Sequence, residues 1–187
     1  AALAEPVPAR NLHPGIAPEP KMPPTATLTD PRPVLSPVPR LLAAIAPVAA
    51  VAVLGSLATT SNIPTWYAGL AKPGFTPPNW LFPVAWTTIY LLLAWAGYRL
   101  TQIPDSQVVL ALWAAQIALN TLWTPVFFGA QRILASMVIL TLLWLVVAVM
   151  VVLALRLDVI TGLILFPYLV WLCLAGALNF FILRNNR

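Results

Sequence analysis

The sequence predicts an all-α integral membrane protein, a bundle of five transmembrane helices, and three observations predict it. Of the 187 residues 60% are hydrophobic and only 8% are charged, whereas charged residues make up about a quarter of a soluble domain. The apolar residues gather in five runs, each close to the ~20 residues that cross hydrocarbon as a helix. Apart from Arg99, at the very end of the second run, no Asp, Glu, Lys, Arg or His falls inside any of them. In lipid the backbone must satisfy its own hydrogen bonds, so these runs are helices.

Residues 1–40 hold more than half of the 20 prolines and few large apolar side chains. Such a segment cannot repay the entropy of ordering by burial, which predicts an extended, polyproline-like tail. It serves as a tether or as a docking arm for a partner. The apolar run comes too late for a secretory signal peptide.

The five helices are expected at about 41–59, 80–100, 108–128, 133–155 and 160–183. Connectors 101–107, 129–132 and 156–159 are short, so sequential helices should pack antiparallel as neighbours. The first connector, 60–79, is long, and long loops in compact proteins are usually functional. Close to the spans, Lys and Arg divide equally between the two sides: Arg32, Arg40, Arg99 and Arg156 against Lys72, Arg132, Arg184 and Arg187. The loop charges therefore set no orientation, although an odd number of spans puts the termini on opposite faces.

The stretch from Pro64 to Trp86 organises the rest. It carries Trp66, Tyr67, Phe75, Trp80, Phe82 and Trp86, a single Lys72, and the prolines Pro73, Pro77 and Pro78. Pro disfavours a regular helix from Lys72 to Pro78. Trp and Tyr prefer the boundary of hydrocarbon and water, so the segment is either an ordinary aromatic belt or a stiffened lid at the membrane surface.

Inside the spans the polar inventory is neutral: Gln116, Asn120, Thr121, Thr124, Thr141 and Asn179. Ion pumps, voltage sensors and proton relays need an ionisable group in the membrane, which argues against active ion transport. Neutral amides most often bond helix to helix. Aromatic stripes run beside them: Phe82, Trp86 and Tyr90 on the second helix, Gln116, Asn120, Trp123 and Phe127 on the third, and Pro167, Trp171, Ala175 and Asn179 on the fifth. These rings either fill the core or leave clefts suited to a flat apolar ligand with a few polar groups to orient it.

Some function classes drop out. The net charge is +5, but the ten basic residues are scattered singly, so no nucleic acid is expected as a partner. The single His13 lies in the tail and Cys173 is the only cysteine. Cys173 is read as buried inert packing, no intramolecular disulfide is possible, and no metal site is expected. A bound tetrapyrrole would be free-base, held by stacking and shape. Pairs Ala111 with Ala115 and Ala114 with Ala118 suit close helix approach, and with it a homodimer through the third helix.

The motifs Trp66-Tyr67, Lys72-Pro73, Pro77-Pro78 with Trp80, Pro83 and Trp86, Ala115-Gln116, Asn120, Trp123-Thr124-Pro125, Phe127-Phe128-Gly129, Pro167-Tyr168, Trp171 and Leu178-Asn179 resemble the TspO/MBR family, the tryptophan-rich sensory proteins. The likeness runs from about residue 41 to the end and leaves out the tail. It implies five transmembrane helices, commonly as a homodimer, and binding of porphyrins such as protoporphyrin IX. It implies ligand-binding roles for Trp66 and Tyr67 in the lid, Trp86 and Tyr90, Asn120 and Trp123, Trp144, and Trp171 and Ala175. The sterol pattern of animal members needs a Tyr near the end of the fifth helix, where this chain has Phe180 and Phe181.

The function expected is thus a sensor, regulator or carrier that binds tetrapyrroles or other flat apolar molecules, with no obligatory cofactor. Two alternatives accompany it: a structural subunit of a larger membrane pigment assembly, and light-dependent porphyrin degradation involving Trp86 and Trp171. The expected location is a bacterial membrane, inner or outer being left open.

Overall fold

The computed structural model describes residues 36–60 and 62–186. The tail expected over 1–40 lies outside them up to residue 35. Five helices, each long and apolar enough to cross a membrane, make up the fold: α1 (Pro37–Thr60), α2 (Leu81–Leu100), α3 (Gln107–Thr124), α4 (Ile133–Leu157) and α5 (Val159–Asn185). α1 starts four residues before its expected bound, because Pro37 and Pro39 fall in the first turn, where no N–H is required.

Two proline-led π-helical turns complete the chain, Ile63–Tyr67 and Pro125–Gly129. In the second, Pro125 cannot donate to the carbonyl four residues back. The chain widens to a five-residue turn, closed by Ala130 N–H donating to Pro125 O at 2.8 Å. That turn prolongs α3 and carries Phe127 and Phe128. Pro47 in α1 and Pro167 in α5 each remove one further helical donor, which membrane helices tolerate because neighbouring groups re-satisfy the backbone.

The bundle closes as a ring in the order α1, α2, α5, α4, α3. The short connectors make α3 and α4, and α4 and α5, antiparallel neighbours as expected. The pair α2 and α3 departs from that expectation. α1 packs between them, with Gly55 facing the end of α3: a Cβ there would stand 3.8 Å from Thr124 Oγ1, an ordinary contact. The two still meet at Trp113, whose Nε1 donates to Leu93 O at 2.9 Å while its ring lies on Gly97. A Cβ on Gly97 would sit 2.8 Å from that ring.

The core is apolar, built from residues such as Ile89, Leu93, Val147, Met150 and Leu165. One polar pair inside it ties two helices together. Asn179 Nδ2 on α5 donates to Ser136 Oγ on α4 at 3.2 Å, the ordinary use of a membrane amide.

At the end holding the short α2–α3 and α4–α5 connections, Arg99 pairs with Asp158 at 2.8 Å. Asp158 also caps α5 by accepting from Thr161 N–H at 2.9 Å, satisfying an orphan donor at the helix start. Bonds from the Thr161 hydroxyl and then from Arg99 lower the Asp158 carboxyl from 3.8 to about 2. A depressed pKa contributes stability that is complete above the unfolded value and is lost as pH falls through the folded one. Asp158→Asn is therefore expected to lower the thermal midpoint at pH 7, and the gap from wild type should close between about pH 4 and pH 2. A gap that persists unchanged at pH 2 would contradict this assignment.

Candidate ligand-binding site

At the opposite end, the bundle opens into a cavity of about 560 Å³. That lies within the roughly 300–1,000 Å³ of pockets that hold drug-sized ligands. Its walls come from α1, α2, the end of α3, α5 and the long loop; α4 stands behind them.

The aromatic walls form one connected set. On α2 the Trp86 ring stacks on Tyr90 at 5.4 Å between centroids and meets Trp171 of α5 edge-on at 6.3 Å. Phe82 meets Trp171 edge-on at 5.8 Å. On α3 Trp123 lies nearly parallel to Phe127, with centroids 5.1 Å apart and planes 10° apart. This pairing follows from their spacing of four and from the wide turn at Pro125.

The lid closes on the same rings. Trp66 meets Phe127 edge-on at 5.3 Å, and Tyr67 tilts against Phe128 at 5.6 Å. Lys72 folds back on the loop: its Nζ donates to the carbonyls of Tyr67, Leu70 and Ala68 at 2.7, 3.0 and 3.1 Å, and lies 4.8 Å from the Tyr67 centroid. These bonds satisfy the free carbonyls after the π-helical turn and spend the ammonium on the lid itself. Burial raises the Tyr67 phenol above its usual 10.0, so it stays neutral.

The lid is also tied to the end of α5. Asn186 Oδ1 accepts from Ala71 N–H at 2.9 Å, and Asn186 Nδ2 donates to Ala71 O at 3.0 Å. This reciprocal pair joins residues 115 positions apart. Each bond contributes about 1 kcal/mol, about 2 kcal/mol for the pair, so Asn186→Ala is expected to speed hydrogen exchange of the Ala71 amide about thirtyfold. Exchange at the wild-type rate would show that the pair does not hold the lid.

Both sequence readings of the loop have a place in it. Trp66 and Tyr67 turn inward as a cover, whereas Phe75 and Trp80, 55% and 66% exposed, face outward as a belt would.

Of the nine residues singled out from sequence, Tyr67, Trp86, Tyr90, Trp123, Trp171 and Ala175 line the main cavity. Asn120 sits one step deeper, in a side slot of about 10 Å³ shared with Trp86, Trp123 and Ala175. Trp66 covers Phe127 without reaching the cavity wall. Trp144 is elsewhere: it stands on the lipid-facing side and donates its indole N–H to Cys173 Sγ at 3.1 Å. Cys173 itself is exposed, contrary to the expectation of burial. Gln116 is fully buried but does not line the cavity.

Sequence reasoning left α1 out of the site altogether. Ala52, Gly55, Ser56 and Thr59 form one wall, and their spacing of three, one and three was the available signal: a small, weakly polar stripe along the last turns of the helix. Phe82, Phe127, Phe128 and Asn179 also line the cavity.

Chemically, the cavity can hold and orient but has little with which to react. Among the described residues, no Asp, Glu, Lys, Arg or His lines it. The polar groups there are hydroxyls, amides and indole N–H groups, and the Trp123 and Trp171 N–H groups make no hydrogen bond among the described residues. No cluster of metal-binding side chains occurs among the described residues.

A model of the TspO/MBR family matches residues 43–184. The chain belongs to the TspO/MBR family. Within it, the chain is 47% identical over 125 residues to Protein CrtK of Rhodobacter capsulatus, covering 65% of this chain and 78% of that protein. It is 42% identical over 138 residues to a tryptophan-rich sensory protein of Cereibacter sphaeroides, covering 72% and 87%. It is 35% identical over 126 residues to the translocator protein of Homo sapiens, covering 65% and 75%. The TspO/MBR match begins inside α1 and ends inside α5, so it spans every wall of the cavity.

Proposed function

We propose that the protein binds tetrapyrroles, protoporphyrin IX among them, in the cavity under the lid and acts as a sensor or carrier for them. The observation that carries this reading is the cavity of about 560 Å³ walled by Trp86, Trp123, Trp171, Tyr90, Phe82 and Phe127 with no charged side chain. Flat rings on several sides favour a flat apolar ligand, held by stacking and area burial. Hydroxyls of Ser56, Thr59 and Thr124 and the indole N–H groups supply neutral partners for ring nitrogens or substituents. The lid supplies a cover that excludes water without contributing charge.

Family membership agrees with such a role, since one relative is named a sensory protein and another a translocator protein. The test is a titration of protoporphyrin IX, haem and a sterol side by side into the purified protein in lipid nanodiscs, read by tryptophan fluorescence. Saturable quenching by the porphyrin at one site per chain supports the reading. Saturable binding of the sterol alone would replace it.

A homodimer through α3 is part of the proposal. Ala111, Ala114, Ala115 and Ala118 all lie on the exposed face of that helix, where close backbone approach is open to a second copy. Crosslinking in the native membrane should yield dimer, and monomer alone would remove this element.

A further inference from the structure

The exposed residues that line the cavity are confined to two facing edges. On α2, Pro83 and Thr87 line it and are exposed, and their spacing of four puts them on one stripe; Asn79, in the turn just before α2, does both as well. On the α1 side, Ser56 and Ile63 do both. None of the lining residues from α3 or α5 is exposed. Because α1 and α2 are neighbours in the ring, these edges bound a slit in the wall. Thr87 lies six residues beyond Leu81, so the slit reaches ~9 Å down the bundle at 1.5 Å per residue, past the lid and into the depth of the hydrocarbon.

The water-facing side is tied instead. Three aromatic contacts and the Asn186 pair hold the lid down, and Lys72 braces the lid from within. Loading from water would break these ties. Loading from lipid through the slit breaks none of them.

We infer that the cavity is filled from the bilayer, through the slit between α1 and α2, by planar apolar molecules already dissolved in the membrane. This rests on the reading that the cavity takes such ligands. Gly55 beside the slit lies in open space, its Cβ position meeting only Thr124 Oγ1 at 3.8 Å. At the depth of the helices the slit is edged by Gly55, Ser56, Pro83 and Thr87, none of which carries a long side chain, while the lid stays shut.

The test needs no tetrapyrrole. In a Cys173→Ala background, Gly55→Cys places a thiol in the cavity, and Gly74→Cys places one on the exposed loop, where a Cβ meets nothing within 4 Å. Each is reacted in liposomes with N-(1-pyrenyl)maleimide, which dissolves in lipid, and with a stilbene disulfonate maleimide, which stays in water. The ratio of pyrenyl to stilbene labelling rates is expected to be at least tenfold higher at residue 55 than at residue 74.

Plugging the slit with Thr87→Phe, or from the opposite edge with Ser56→Leu, is expected to slow pyrenyl labelling at residue 55 at least tenfold. Loosening the lid with Asn186→Ala should leave that rate within twofold. Equal reagent ratios at the two sites would overturn the inference. So would unplugged rates in both slit variants, or acceleration by Asn186→Ala. Slit-dependent labelling together with no porphyrin quenching would count against the tetrapyrrole reading alone.

Discussion

Replacing Trp86 and Trp171 together by Ala is expected to weaken protoporphyrin IX binding about a hundredfold. The two rings meet edge-on at 6.3 Å and form adjoining walls of the cavity. Each contributes about 1.5 kcal/mol of apolar burial to a flat ligand laid against it, at the lower end of the range because both are only half-buried. Two such losses make about 3 kcal/mol, which is roughly a hundredfold in Kd. Truncation also removes the support of Trp86 for Tyr90 and of Trp171 for Phe82. Trp86→Phe with Trp171→Phe keeps a ring at each place and should bind within about tenfold of wild type. Fluorescence from the remaining tryptophans, or isothermal titration in detergent, measures both. A double-Ala variant that binds like wild type would place the ligand somewhere other than this cavity.

Gly55→Phe is expected to abolish binding by the opposite route, filling the slot instead of removing its walls. The Cβ of any residue at 55 has room, with Thr124 Oγ1 the nearest atom at 3.8 Å. A phenyl ring built onward from it occupies the cavity, because Gly55 is one of the lining residues. Glycine in a helix interior costs about 1 kcal/mol relative to Ala, so the substitution should not lower the thermal midpoint. Binding should fall more than tenfold while the midpoint of the ligand-free protein holds or rises. Loss of binding accompanied by unfolding would point to overpacking against α3, and retained binding would show that the ligand does not use this wall.

Five helices were legible in the sequence because charge-free apolar runs of about the right length have few other solutions in lipid. The helix bounds agree to within a few residues except at Pro37, where proline favours the first helical turn and so extended α1 into the segment read as tail. Most ring-bearing positions of the site were legible through helical spacing, since Phe82, Trp86 and Tyr90 share one face wherever the helix is regular. Trp144 was not. It was assigned to the site only through the family resemblance, and in the fold α4 stands behind the cavity walls while Trp144 bonds to Cys173 on the outside. The contribution of α1 was hidden because small side chains signal close packing and open space equally well.

The ties that close the lid could not be read ahead of the fold. Asn186 meets Ala71 only because α5 ends beside the long loop, and nothing local to either residue announces it. Lys72 is the one cation of the stretch from Pro64 to Trp86, and three carbonyls of its own loop occupy it. That leaves the cavity lined by uncharged side chains, and its selectivity is then set by shape and by neutral donors and acceptors. The departure of α2 and α3 from neighbourly packing has the same long-range origin, the insertion of α1 between them.

A structure of the protein determined with protoporphyrin IX in a lipid environment tests the central claim most directly. The macrocycle should lie under the lid, flanked by Trp86, Trp123 and Trp171. Macrocycle density found only on the lipid-facing surface of the helices, with the space between those three indoles unchanged, would contradict it.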